Sequence, residues 1–65
     1  MTEEVATIYI KAMINEMLSM YALMNMYKSS GNKEYFKSAE KWIPFIDSTF
    51  TSLRDEMLRI GKEND

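Results

Sequence analysis

The sequence predicts an all-α fold, an antiparallel two-helix hairpin. Three observations carry that reading. Two long stretches place an apolar residue at every third or fourth position, as a helix face does. Two glycines and one proline in 65 residues leave little room for loops, and nowhere do β-branched residues alternate with polar ones as a strand requires. Finally, Ser29-Ser30-Gly31-Asn32 is the one clear turn signal in the chain.

The first helix is predicted from Thr2 to about Lys28. Thr2 is the expected N-cap, and Glu3 and Glu4 then oppose the positive end of the helix dipole. Lys28 falls in the last turn, where a cation is favoured. At 1.5 Å per residue this is a rod of roughly 38 Å. Its main stripe reads Ala6, Ile10, Met13, Met17, Met20, Met24, Tyr27, a period of about 3.5 residues.

Gly31 can take the left-handed conformation that closes a helix, and Asn32 can cap the next one. So short a connection makes the helices antiparallel neighbours. The second helix is expected from Lys33 to about Ile60, with Gly61 as its stop and residues 62–65 as a frayed tail. Its stripe is Phe36, Ala39, Ile43, Ile46, Phe50, Leu53, Met57, Ile60. Pro44 interrupts the helix interior, where it removes a hydrogen bond and crowds the carbonyl four residues back. Either a new helix starts there or one helix kinks. The stripe keeps its phase across Pro44, which favours the kink. Folding about the turn pairs positions whose numbers sum to 63, so Tyr27 meets Phe36, Met20 meets Ile43 and Met13 meets Phe50.

Helix 1 has more apolar surface than one neighbour can cover, since a surface helix needs an apolar arc of only about 100°. Val5, Ile8, Tyr9, Ala12 and Leu23 lie on one flank, and Ile14, Leu18 and Tyr21 on the other. Tyr35, Trp42, Phe45 and Leu58 are left over on helix 2. The eight flank residues with Trp42 and Phe45 are the expected oligomer or partner interface. A second hairpin would complete a four-helix bundle, so a homodimer is expected, with another protein as a further partner. In such a bundle Asn15, Glu16 and Asn25 would lie near a helix–helix boundary and could fix register. The seven methionines read as adaptable core filler, or as a groove that accepts a partner helix.

A 65-residue chain is one small domain, 1–65, that buries only about 60% of its unfolded surface. With no cysteine and no histidine it has no disulfide, no thiol nucleophile and no common general base at neutral pH. Its isolated glycines make no phosphate loop, and no carboxylate run matches a calcium loop. The expectation is therefore a non-enzymatic protein with no metal and no cofactor. Asp55 and Glu56 read as ion-pair partners of Arg59. The longest uncharged run, Met17 to Tyr27, is too short to span a membrane, and the lack of cysteine fits a reducing cytoplasm.

Lys33, Lys37 and Lys41 form a row at helical spacing, with Lys28 near it across the turn. Cations at a helix N-terminus oppose the dipole, so this row is a candidate anion site, with Tyr35 and Trp42 near enough to stack on a base. Glu34 and Glu40 interleave with it, as on a solvated face. A net charge of −2 argues against general nucleic-acid binding. Three functions follow: an interaction protein that binds and modulates a larger protein, an RNA or nucleotide binder using the lysine row, or a structural assembly subunit. For the second, the architecture resembles the small RNA-binding hairpin dimers that regulate plasmid copy number, and that resemblance implies RNA as the ligand.

Overall fold

In the computed structural model, residues 2–64 are described. Met1 and Asp65 lie outside them, and so does the Thr2 side chain expected to cap the first helix. The chain folds as a helical hairpin of three segments, α1 (Thr2–Ser30), α2 (Lys33–Glu40) and α3 (Ile43–Asn64). Both α2 and α3 pack against α1 and together make one bent arm.

The turn forms where its residues require it. The Gly31 N–H donates to the Tyr27 carbonyl at 2.7 Å, and Gly31 sits at φ 72°, the left-handed region that favours glycine. Asn32 Oδ1 accepts from the Glu34 N–H at 3.0 Å and caps α2. The first helix runs to Ser30, two residues past the expected Lys28. The Ser30 hydroxyl bonds back to the Met26 carbonyl at 2.7 Å and accepts the Asn32 N–H at 3.1 Å, so the last turn is held by a side chain.

Pro44 bends the second arm without breaking it. The Lys41 N–H still reaches the Lys37 carbonyl at 3.3 Å, and the Trp42 N–H tightens onto Ala39 O at 3.1 Å. The Ile46 N–H then resumes the ladder to Trp42 O at 3.0 Å. The bend therefore falls at Lys41–Trp42, in the turn that Pro44 cannot serve with an N–H. The expected stop at Gly61 is not used, since α3 continues to Asn64. Arg59 donates to Glu63 at 2.6 Å across that position and supports the final turn.

The seam between the arms differs from the expected one in phase. The half-buried or buried row on α1 is Ala6, Tyr9, Met13, Glu16, Met20, Leu23, Tyr27. On the other arm it is Tyr35, Ala39, Trp42, Ile46, Thr49, Leu53, Glu56, Ile60. These are the a and d positions of two heptad patterns. Ile10, Met17 and Met24, expected in the seam, take the flanking e positions of α1. Phe36, Ile43, Phe50 and Met57 take the same positions on the second arm. All seven are exposed, between 37% and 54%. The register moves too. Glu16 is bonded to Thr49, not level with Asp47, so facing numbers sum to 65 there instead of 63. The Tyr27–Phe36 pair survives as a tilted ring contact, with centroids 5.4 Å apart.

The result is a rod of 51 × 15 × 13 Å. Its radius of gyration is 15.3 Å, against about 11 Å for a compact domain of this length. It exposes 5087 Å², several hundred more than the roughly 4,300 Å² of a compact monomer of its mass. Among the described residues only Ala6 and Ala39 are fully buried hydrophobics. Two helices side by side can shield a seam, but they cannot enclose a core.

Candidate functional site

The e positions of both arms lie on one side of the hairpin. Viewed along the rod, antiparallel right-handed helices turn in opposite senses, so the position just past the seam falls on the same side in each. Ile10, Met17 and Met24 therefore share a face with Phe36, Ile43, Phe50 and Met57. Ile14 and Tyr21 continue it around α1, and with Met17 and Leu18 they line a shallow apolar depression. Beyond the e row of the second arm the edge becomes polar, with Glu40, Asp47 and Arg54. The opposite side of the seam carries Ala12, Ser19, Ser38 and Ser52, small residues that are half-buried between the arms.

The expected interface residues divide between these surroundings. Tyr9, Ala12, Leu23 and Trp42 are half-buried against the other arm. Val5, Ile8, Ile14, Leu18, Tyr21 and Phe45 are exposed, with Leu18 at 57% and Tyr21 at 65%. Phe45 leans on Trp42, their ring centroids 5.8 Å apart. Ile10, Met17, Met24, Phe36, Ile43, Phe50 and Met57, expected in the seam from their spacing, form open surface instead. Their regular spacing fits an open row as well as a seam.

Glu16 and Thr49 put polar groups into the seam. Thr49 Oγ1 donates to Glu16 Oε2 at 3.0 Å, while the buried Glu16 Oε1 has no hydrogen-bond partner among the described residues. A buried polar pair of this kind costs stability but penalises any register that separates it. Of the other two polar residues considered at the boundary, Asn15 and Asn25 are exposed.

Lys28, Lys33, Lys37 and Lys41 are all exposed. Lys37 Nζ pairs with Glu34 at 3.6 Å, and both side chains are well solvated. Tyr27, Lys33, Phe36, Lys37 and Glu40 line a shallow depression beside the turn, so an acidic side chain shares the recess of Lys33 and Lys37. On α3, Arg59 clasps Glu56 with two bonds of 2.8 and 2.6 Å and reaches Glu63 as well. Asp55 pairs with Arg54 at 3.2 Å and not with Arg59, since the adjacent side chain is nearer. The Arg59 hydrogen bonds hold the Glu56 carboxyl below its usual range, although partial burial opposes them. Glu56 in turn raises the Arg59 pKa.

No helix among the described residues is long and apolar enough to cross a membrane. No protein-family model, no curated protein and no solved structure matches this chain.

Proposed function

We propose that this chain is a non-enzymatic interaction protein, a helical hairpin that pairs with a second copy of itself and binds and modulates a larger protein. One observation carries the reading. A hairpin that fully buries two alanines leaves fifteen large apolar side chains substantially exposed among the described residues. Nine of them share one face, Ile10, Met17, Met24, Phe36, Ile43, Phe50 and Met57 with Ile14 and Tyr21, and contiguous exposed apolar surface marks a site of association. A cytoplasmic setting fits the absence of cysteine.

Leu18, at the outer edge of the depression beside the seven-residue face, and Ile8, farther round α1, are exposed apolar residues that support the further partner. The test is Leu18→Glu with affinity capture and solution mass. The reading expects the variant to keep its helicity and mass while losing a single protein that the wild type retains. If wild type and variant capture nothing in common conditions, modulation of a larger protein is wrong. If the variant falls apart into unfolded monomers, Leu18 belongs to the self-association core instead.

A further inference from the structure

The middle of the open face has a symmetry of its own, with Met24 and Phe36 outside it toward the turn. On α3, Asp47 and Arg54 stand one heptad apart on the polar edge, centred near position 50. Ile43 and Met57 flank Phe50 at equal spacing on the apolar row, centred on the same place. On α1, Ile10, Ile14, Met17 and Tyr21 straddle a point between positions 15 and 16. The Glu16–Thr49 hydrogen bond sets these levels against each other, because it places 16 beside 49. The two centres then coincide to about one residue, roughly 1.5 Å of helical rise, on a rod 51 Å long.

A face whose middle repeats in reverse on both helices about one level, and whose Asp47 and Arg54 are of opposite charge, suits a copy of itself turned end for end. We infer that the occupant is a second copy of this chain, related by a two-fold axis perpendicular to the rod at that level. The inference rests on the self-association proposed above and adds the face and the orientation. In this dimer α1 crosses α1 of the second copy and α3 crosses α3, both antiparallel, with the two turns at opposite ends. Phe50 meets its symmetry mate, and Ile43 meets Met57 of the second copy. Asp47 comes beside Arg54 of the second copy, twice. Asp47 makes no ion pair among the described residues, and Arg54 holds only its exposed neighbour Asp55. With the axis along the rod instead, α1 would face α3 of the second copy, setting the apolar Ile14–Tyr21 edge against the charged Asp47–Arg54 edge. The area suffices: a 51 by 15 Å face projects roughly 770 Å², close to the 800 Å² that each partner contributes to a stable interface.

The turn reports the orientation. The chain has no cysteine, so a Ser29→Cys variant takes a single spin label. Ser29 lies about 13.5 residues from the axis level, so electron–electron resonance should give a label separation of roughly 40 Å. A separation below about half that value, at dimer mass, overturns the orientation while self-association stands. A monomer that still captures a protein partner overturns the dimer and leaves the interaction reading intact. The charge edge gives a second test that leaves the apolar face untouched. Asp47→Arg should weaken dimerisation roughly three- to tenfold through two lost surface pairs, and adding Arg54→Asp should recover it. A double variant no better than the single contradicts the Asp47–Arg54 contact.

Discussion

Thr49 Oγ1 donates a hydrogen bond of 3.0 Å to Glu16 Oε2 and ties α1 to α3 at the middle of the rod. Two apolar residues there would pack as well, so the pair contributes choice of register more than stability. It also sets the level about which the middle of the open face repeats in reverse.

Thr49→Val keeps the shape and removes the donor. It leaves the half-buried Glu16 carboxylate without its bond, which should cost about 1–3 kcal/mol. The double change Glu16→Leu with Thr49→Val should recover most of that or exceed the wild type, because both polar partners are gone. Urea unfolding of the two variants against wild type measures both effects.

Gly31 and Gly61 respond oppositely to alanine. At neither does an added Cβ come within 4 Å of anything beyond the adjoining chain, so packing does not decide the sign. At Gly31 the φ of 72° decides it, and Gly31→Ala should lose about 1 kcal/mol, with Gly31→Asn losing less. Gly61 lies inside α3, and Gly61→Ala should gain up to about 1 kcal/mol, less any fraying of the end. Thermal unfolding of the three variants checks the order.

Stability should fall with acid through Glu56. The Arg59 hydrogen bonds lower its pKa in the folded state. Its contribution is therefore present above the unfolded value, near 4.3, and is lost as pH drops through the lower folded one. Glu56→Gln should flatten the urea midpoint between pH 5 and pH 2 relative to wild type. An unchanged acid slope would mean that Arg59 gives Glu56 no preferential stabilisation.

The lysine row should behave as a solvated face. Lys37 already pairs with Glu34, and Glu40 shares the recess beside the turn. Titration with a mixed-sequence RNA at low and moderate salt should show no salt-sensitive binding. Binding that falls with salt and disappears in Lys37→Glu plus Lys41→Glu would move the function to nucleic acid.

The hairpin, its turn and the consequence of Pro44 could be read from residue patterns, because Gly31, Asn32 and Pro44 act on the backbone locally. The seam could not. Ala6, Met13, Met20 and Tyr27 belong to two stripes at once, one continuing through Ile10, Met17 and Met24, the other through Tyr9, Glu16 and Leu23. Hydrophobicity favours the first. The hairpin uses the second, since Glu16 finds Thr49 and the small Ala12, Ser19, Ser38 and Ser52 sit between the arms. The same ambiguity recurs on α3, where Phe50 and Met57 are more apolar than Thr49 and Glu56. The more apolar rows are thus left outside the hairpin, and that surplus supports the association reading. Asp55 went astray for a simpler reason: helical spacing allowed Arg59, while Arg54 was next door.

Sedimentation equilibrium across a wide concentration range tests the central claim most directly. The account predicts a mass near twice 7.7 kDa down to micromolar protein, with helicity lost only as the dimer dissociates. A cooperatively folded monomer of 7.7 kDa at all concentrations would contradict it, since the exposed rows would then need no second copy to cover them.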